Sequence, residues 1–469
     1  MFNHKSSAVS KTNPELPREV VQYLAKYSAG KWKIETNISA PVTTAIVIPA
    51  IKEYDNLQKL LSSLIKNEPG YFAETLVIFV INNIPSSSLE IKEDNRKTIE
   101  FFRAIINKET GNALINDIIS SGLQTAFIDA SSAGLEMPEK DGGVGYARKI
   151  GMDLALTVFD YTSLKKKIIL CLDADCIVKE NYITQVIEHF NKKNLSAAAV
   201  NFEHQLSGED ETAKAIVCYE IFLRYYTIGL HFAGSPYAFH TVGSTMACDY
   251  ESYIKIEGMN KRKAAEDFYF LEKLAKNSAG LFRGEKPVPL IYSTTVFPSS
   301  RGSWRVPFGT GQRVNRFLSK TRNEYLLYDP EVFLVLRSWL KLFFSNETTS
   351  CAAYLQKAMA IHPELYKFLI QQKFEADFNK IANNSKTNDQ LHKQKIKWFD
   401  GFRTMKLIHY FRDNVYPDKN MFDALDEMFS LLNIQPGDNI SHEHGIIPDF
   451  QVQKNYMLFL REIDKNYNT

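Results

Sequence analysis

Short apolar runs alternate with amphipathic stretches through the first 200 residues of the chain. The runs are rich in β-branched residues, a pattern typical of strands buried on both faces of a parallel sheet. They cover residues 43–49, 76–81, 125–129 and 168–172. Helical periodicity lies between them, as at 55–65, where leucines recur at core spacing. This alternation, with short connections, predicts right-handed crossovers and an α/β fold with a doubly wound, mainly parallel sheet flanked by helices.

Other stretches set the organisation of the chain. The polar segment 84–121 predicts a loop with one or two helices, inserted over the strand ends. After residue 196, a strand at 197–205 and a long aromatic helix from 213 to about 230 follow. From about residue 328 helical periodicity dominates, and the polar stretch 380–395 predicts an exposed loop. We therefore divide the chain into a polar tail with one helix (1–40), an α/β domain (41–325, in halves 41–195 and 196–325) and a mainly α-helical region (326–469).

Composition narrows the class of protein. The 469 residues are 45% hydrophobic and 23% charged, as in ordinary globular proteins, and the net charge of +2 gives no reason to expect a nucleic-acid partner. The N-terminus lacks the apolar core of a signal peptide, and the chain has no apolar run long enough for a membrane span. The richest apolar stretch, 332–344, is broken by Arg337 and Lys341, which leaves at most peripheral membrane contact. The odd number of cysteines, without zinc spacing, predicts free thiols in a reducing cytoplasm.

The chemistry of the chain centres on the sequence KKIILCLDADC. Its apolar run, 168–172, stops at Asp173-Ala174-Asp175. Two carboxylates at i and i+2 point the same way from an extended backbone, and open α/β sheets bind ligands at the carboxyl ends of their strands. Mg²⁺ and Mn²⁺ prefer such hard oxygen ligands and take the rest from water and substrate phosphates. The structural alternative is a strand that runs into an Asx-type turn and a following helix.

Two segments could contribute to a nucleotide site near these strand ends. Glu53 lies four residues beyond Pro49, in the loop after the first strand, and could accept hydrogen bonds from a nucleoside; a solvated charge is the alternative. The sequence GGVGYARKIG places glycines before Arg148 at the opening of a helix. Glycine lets backbone approach a diphosphate, and a helix N-terminus favours an anion. The segment matches neither a Walker A loop nor a dinucleotide fingerprint, and a plain tight turn would also explain it.

Two later segments carry charges suited to group transfer. Glu266 and Asp267 begin an amphipathic helix, where one of them could be a general base, although the helix dipole alone also favours acidic residues there. The polar, flexible segment RGSWRVPFGTGQRVNRF suits a diphosphate clamp, with a solvated basic surface as the alternative. Its arginines are Arg301, Arg305, Arg313 and Arg316.

The order of these features resembles that of the family 2 glycosyltransferases, which have the GT-A fold. The resemblance covers about residues 43–318. The matching positions are Pro49 and Glu53, Arg148 after the glycines, Asp173 and Asp175, the strand that begins GSTMA at Gly243, Glu266 with Asp267, and RVNRF at 313–317. That last segment is similar to the family's Gln/Arg-x-x-Arg-Trp motif, with Phe317 in place of Trp.

The resemblance implies a Rossmann-like GT-A domain that binds a UDP- or GDP-sugar against the sheet. It implies that the sugar passes, with inversion, to a hydroxyl of a saccharide or small molecule. Asp173 and Asp175 would hold a divalent metal (Mn²⁺ or Mg²⁺) and the donor, and Asp267 would be the base, with Glu266 as its competitor. Donor contacts would come from Pro49, Glu53, Asn83, Arg148, Arg313 and Arg316.

The chain also departs from the family. Its second strand ends in Asn82-Asn83, where many relatives have an Asp that contacts the nucleobase, so the identity of the base stays open. The membrane helices of processive synthases are missing, which argues against polymer extrusion. Residues 330–469 lie outside the resemblance.

Two other enzyme classes fit parts of the pattern. Retaining GT-A enzymes similar to mannosylglycerate and glucosyl-phosphoglycerate synthases commonly complete the metal site with a His, for which His240 is the candidate. Nucleotidyltransferases share the acidic site but usually have a glycine-rich loop after the first strand, where this chain has AIKEYDNL. Aromatic side chains could stack an acceptor or simply pack a helix core; they are Tyr225, Tyr226, Phe232, Tyr237 and Phe239.

Overall fold

The computed structural model of the chain describes residues 16–28, 30–38, 40–278, 280–304, 309–345, 350–437 and 439–468. Most of the predicted N-terminal tail (1–15) and Arg305 lie outside the described residues.

One mixed sheet forms the centre of the N-terminal two thirds of the chain. Its strands are β1 (Glu35–Thr36), β2 (Thr44–Ala50), β3 (Thr75–Asn82), β4 (Gln124–Ala130), β5 (Ile168–Cys171), β6 (Ile177–Val178), β7 (Ala197–Phe202), β8 (Met246–Asp249) and β9 (Leu290–Phe297). The strand order is β1-β4-β3-β2-β5-β8-β7-β9-β6. The run β4-β3-β2-β5 is parallel, as the apolar runs predicted, whereas β8 is antiparallel to both of its neighbours.

Helices cover both faces of this sheet, so the predicted α/β architecture is confirmed. One face packs α1 (Arg18–Tyr27), α5 (Val144–Ala155), α8 (Tyr250–Lys255) and α9 (Glu266–Asn277). The other face packs α2 (Tyr54–Leu64), α3 (Leu89–Ile106), α4 (Ala113–Ser121) and α6 (Tyr182–Lys193). The predicted insertion 84–121 is therefore α3 and α4 with their connections. The predicted strand at Gly243 is shorter than expected, because Gly243–Thr245 form one 3-10 turn before β8.

The remaining helices build a second core around α7 (Glu211–Phe232). Its other members are α10 (Thr310–Leu318), α11 (Pro330–Phe344), α12 (Cys351–Ile361), α13 (Pro363–Gln371), α14 (Phe374–Asn384), α15 (Asn388–Trp398), α16 (Gly401–Asn414), α17 (Met421–Leu432) and α18 (Phe450–Asn468). A small sheet joins β10 (Leu326–Leu327) to β11 (Lys419–Asn420). Trp339 lies at the centre of this core, with the rings of Phe343 and Phe374 at 4.8 and 5.8 Å.

The predicted C-terminal helical region is confirmed, but it shares its hydrophobic core with α7. One hydrophobic core therefore contains residues from both sides of the predicted domain boundary near residue 325. The expected exposed loop at 380–395 is wrong: only 385–387 separates α14 from α15, and Thr387 caps α15 by accepting the Gln390 N–H at 3.2 Å. Within the described ranges, no helix combines the length and apolar character needed to cross a membrane.

Candidate functional site

The sheet opens at the carboxyl ends of β2 and β5. The Leu172 N–H donates to the Val47 carbonyl at 3.2 Å, and Pro49, which has no N–H, cannot continue that ladder. Asp173 to Cys176 then form a turn, closed by the Cys176 N–H on the Asp173 carbonyl at 3.1 Å. The expectation of an extended Asp-x-Asp backbone is therefore wrong. The turn directs the two carboxylates to two different arginines.

Arg148 on α5 connects Asp173 to the start of α9. Its side chain is only 3% exposed and donates to Asp173 Oδ1 at 2.5 Å and, through its other terminal nitrogen, to Glu266 Oε1. A Cβ at Gly243 would lie 2.6 Å from Arg148 Nη2, so glycine is needed there to admit the guanidinium. Burial would lower the Arg148 pKa, but the charges of Asp173 and Glu266 raise it above its ordinary value.

Arg301, in the segment after β9, binds the second aspartate. Its Nε donates to Asp175 Oδ2 at 2.8 Å, and Nη2 donates to Glu53 Oε1. The Arg301 side chain is 35% exposed, whereas that of Glu53 is 5% exposed. Burial raises the Asp175 pKa, and the Arg301 charge partly offsets this effect. Glu53 and Asp175 are thus brought together by an arginine more than 120 positions away from either.

Asp267 lies next to Glu266 in this network, and the pKa of its carboxyl group is strongly shifted. Its Oδ1 accepts the Phe268 N–H at 2.7 Å. Burial and the neighbouring Glu266 charge raise the Asp267 pKa to about 7. We call Glu53, Arg148, Asp173, Asp175, Glu266, Asp267 and Arg301 the carboxylate–arginine cluster.

Two strained backbone positions flank the cluster. Ala265, just before Glu266, has φ 57°, and Lys52, just before Glu53, has φ 53°. Left-handed conformations are unfavourable for residues with a Cβ, and such strain persists only where the surroundings enforce it. The Lys52 N–H is held by Asn95 Oδ1 at 3.0 Å. Glu53 and Glu266, which follow these two residues, are therefore positioned by strained backbone that the surrounding fold has to hold in place.

The predicted glycines near Arg148 serve packing between elements of the site. A Cβ at Gly145 would lie 2.4 Å from the Arg262 carbonyl oxygen and 3.0 Å from Glu266 Cβ. A Cβ at Gly143 would lie 3.1 Å from Lys263 Cα. These glycines let the start of α5 approach the segment that leads into α9. That approach brings Arg148 to Glu266.

Asn83, predicted to lie near the nucleobase, is 1% exposed and uses both amide atoms inside the protein. Its Oδ1 accepts from Asn95 Nδ2 at 2.9 Å, and its Nδ2 donates to the Ile84 carbonyl at 3.2 Å. Asn95 also donates to the Asn82 carbonyl at 3.0 Å. Asn95, which the sequence did not single out, thus fixes the ends of β2 and β3 together through Lys52 and Asn83.

His240, the predicted third metal ligand, faces the C-terminal helix. Its Nε2 lies 2.6 Å from Asp464 Oδ2, and its Nδ1 lies 3.2 Å from Thr227 Oγ1. Asp464 also accepts from Arg224 Nη1 at 2.6 Å. Both ring nitrogens are therefore engaged away from Asp173 and Asp175.

Arg313 and Arg316 lie on α10, so their segment is helical in part instead of a flexible loop. Both pair with the buried carboxylate of Glu324, Arg316 Nε at 2.9 Å from Oε1. The Arg313 guanidinium also lies 4.3 Å from the centroid of the Phe222 ring. In the described part of the chain these two arginines are neither a solvated surface nor partners of the carboxylate–arginine cluster.

Asp173 and Asp175 are the residues of the cluster that could hold a divalent cation. The five acidic side chains of the cluster exceed its two arginines, which leaves net negative charge in a half-buried space. Asp173 and Asp175 are 38% and 23% exposed, and each uses one carboxylate oxygen for its arginine. Two carboxylates suffice for Mg²⁺ or Mn²⁺ when phosphates and water complete the shell. Among the described residues, no three His, Cys, Asp or Glu side chains form a ready-made metal site.

No protein-family model matches the chain, and no curated protein sequence is significantly similar to it. The 1–349 fragment of S. aureus TarS in complex with UDP-GlcNAc is 12% identical over 78% of this chain and 92% of that chain, with a TM-score of 0.35. The mannosyltransferase PcManGT from Pyrobaculum calidifontis, in complex with GDP-Man and Mn²⁺, is 12% identical over 84% of this chain and 92% of that chain, with a TM-score of 0.34. Likeness of this extent assigns no activity to the chain.

Proposed function

We propose that the chain is a metal-dependent glycosyltransferase of GT-A, family 2 type that moves a sugar from UDP or GDP to an acceptor hydroxyl with inversion. The observation that carries the proposal is the buried Arg148, which joins Asp173 after β5 to Glu266 at the start of α9. Through these two contacts Arg148 would hold the base candidate Asp267, which follows Glu266, near the Asp-x-Asp turn. Residues 41–325 would form the transferase domain, and 326–469 would form an accessory region on it.

Asp267 is the better base of the acidic pair. Glu266 is 5% exposed and forms an ion pair with Arg148, so its carboxylate is not available to accept a proton from the acceptor. The Asp267 pKa of about 7 matches the range in which a general base is most effective near neutral pH. Asp267 would take the proton of the acceptor hydroxyl as the new glycosidic bond forms.

The leaving nucleoside diphosphate needs positive charge, because its negative charge grows as the donor's glycosidic bond breaks. Asp173 and Asp175 would hold Mn²⁺ or Mg²⁺, which stabilises that charge when bound. Arg301 is the more exposed arginine of the cluster and is suited to bind phosphate oxygens, while Asp175, its partner in the structure, would hold the metal. Arg148 would keep Asp173 and Glu266 in place.

Inversion is favoured over retention by the position of His240. The retaining enzymes commonly complete the metal site with a His, whereas the contacts of His240 with Asp464 and Thr227 leave it no free ring nitrogen. All five cysteines are free thiols, which supports a reducing, cytoplasmic location.

The proposal is tested by incubating the protein with Mn²⁺ and a panel of UDP- and GDP-sugars in the presence of saccharide acceptors. We expect nucleotide release with one donor class and a product whose anomeric configuration, read by NMR, is opposite to that of the donor. Retained configuration would discard Asp267 as base. No nucleotide binding with any metal would discard the proposed function.

A further inference from the structure

A cavity is lined by residues of α7, α9 and α16 and of the segment 237–241. Four aromatic side chains line it: Tyr226, Tyr237, Phe239 and Phe268. Phe268 follows Asp267 directly in the chain and is half-buried. Gly401, the first residue of α16, is also part of the lining. The C-terminal helical region therefore supplies part of a cavity whose lining includes the residue after the candidate base.

The cavity is narrow. Its volume is about 40 Å³. One water needs roughly 10–15 Å³, so the cavity has room for roughly three non-hydrogen atoms. A hydroxymethyl or acetyl group fits that space, whereas a whole sugar ring does not.

The charge of the lining selects against anions. Among the described lining residues, Glu272 is the one carboxylate and His240 the one imidazole, and there is no lysine or arginine. The Glu272 carboxylate is buried, accepts the Phe402 N–H at 3.0 Å and lies 3.5 Å from Lys276 Nζ. A phosphate or carboxylate group would meet Glu272 without a cation in the lining. Hydroxyl groups, in contrast, can donate to Glu272, and aromatic faces can cover the apolar face of a sugar ring.

We propose that this cavity anchors the acceptor: it takes one uncharged substituent of a neutral saccharide whose ring lies on Phe268 and Tyr226. The identification of the bound saccharide as the acceptor rests on the proposed function, whereas the binding of a saccharide in this cavity does not depend on it. Such a site gives the C-terminal helices a role, because α16 contributes Gly401 to the lining of the cavity. It also separates this chain from enzymes whose acceptors are glycerate or phosphoglycerate.

Gly401→Ala is the sharpest test. The added methyl group would lie 3.5 Å from Glu272 Oε1 and 3.6 Å from Phe268 Cζ and Tyr237 Cβ, which are ordinary contacts, so the variant should fold. It nevertheless removes a large part of the enclosed space. One methyl group in a fitted pocket typically changes recognition by roughly tenfold or more. Gly70→Ala is the matched control, because Gly70 is exposed and has nothing within 4 Å of its added Cβ.

Saturation-transfer NMR and titration would use cellobiose, chitobiose, methyl glucoside, glycerate and 3-phosphoglycerate as probes. We expect wild type and Gly70→Ala to bind at least one neutral saccharide, and Gly401→Ala and Phe268→Ala to bind it at least tenfold more weakly. Equal binding by wild type and Gly401→Ala, binding of the anions alone, or no saccharide binding by wild type would each overturn the proposal. UDP and GDP titrations with Mn²⁺ on the same proteins report separately on the proposed function, and Gly401→Ala should leave them unchanged.

Discussion

Replacing Arg301 by glutamine should have opposite effects on metal and nucleotide. In the structure Arg301 forms an ion pair with Asp175, with Nε 2.8 Å from Oδ2. A cation that binds Asp175 must compete with that charge, so its removal should tighten Mn²⁺ binding in the absence of nucleotide. The diphosphate loses a planar donor in the same variant, so UDP or GDP should bind more weakly at saturating Mn²⁺.

The magnitude follows from distance and exposure. Two unit charges about 4 Å apart interact by about 4 kcal/mol at an effective dielectric constant of about 20, whereas exposed ion pairs contribute about 0–1 kcal/mol. Arg301 is 35% exposed, so we take an intermediate value of roughly 1.5 kcal/mol. This corresponds to about a tenfold change in each dissociation constant.

The assay is Mn²⁺ titration followed by electron paramagnetic resonance of the free ion, with nucleotide affinity from calorimetry. Arg322→Gln is the matched control, because it removes the same charge from the protein. Arg322 is 51% exposed and lies 3.5 Å from Asp418. The control variant should change neither constant by more than about twofold. If Arg301→Gln weakened both ligands together, or altered neither, the competition between Arg301 and the metal would be refuted.

Three further changes test other parts of the account. Asp267→Asn should lower kcat by roughly 10²–10⁴-fold with nucleotide binding unchanged, and the wild-type kcat/KM should rise with pH up to about 7, since the base must be deprotonated; a flat profile would contradict the base assignment. Lys395→Met should raise the free energy of unfolding at pH 7 by roughly 1–2 kcal/mol in urea titrations. Burial lowers the Lys395 pKa to about 8, so the stability of the wild type relative to the variant should increase between about pH 8 and 10, and a difference that stays constant with pH would disprove this reason. Ala265→Gly should raise the free energy of unfolding by roughly 1 kcal/mol because it relieves a left-handed alanine, and a loss of stability would show that the strain is not there.

The parallel part of the sheet could be predicted because buried strands appear in the sequence as apolar runs. The predicted strand 168–172 and the observed Ile168–Cys171 differ by one residue. The end of α14 and most of α15 were predicted as loop because Lys, Asn and Gln show no clear apolar stripe there. The Thr387 cap is a local signal that could have indicated α15, since Thr387 and Gln390 have capping-box spacing. The contact of Trp398 Nε1 with Asp377 at 2.7 Å is a tertiary feature that no local pattern indicates.

The residues of the candidate site stand out one by one in the sequence, but the contacts between them do not. Asp173, Asp175, Glu266 and Asp267 stood out by their positions at element ends. The partners of Arg301 lie 126 and 248 positions away, and Asp464 lies 224 positions from His240, so sequence spacing carries no signal for either contact. The geometry of the turn after β5 depends on Pro49 and β2, which are also remote in sequence.

The most direct measurement of the central claim is calorimetric titration of UDP and GDP into wild type and Asp175→Asn, each with Mn²⁺ and with EDTA. The account predicts that wild type binds one nucleotide in Mn²⁺ and at least tenfold more weakly in EDTA. It predicts that Asp175→Asn, still folded because residue 175 lies in the turn after β5 and outside the hydrophobic core, binds in Mn²⁺ no better than wild type does in EDTA. Equal, metal-independent binding by both proteins would contradict a donor site built on Asp173 and Asp175.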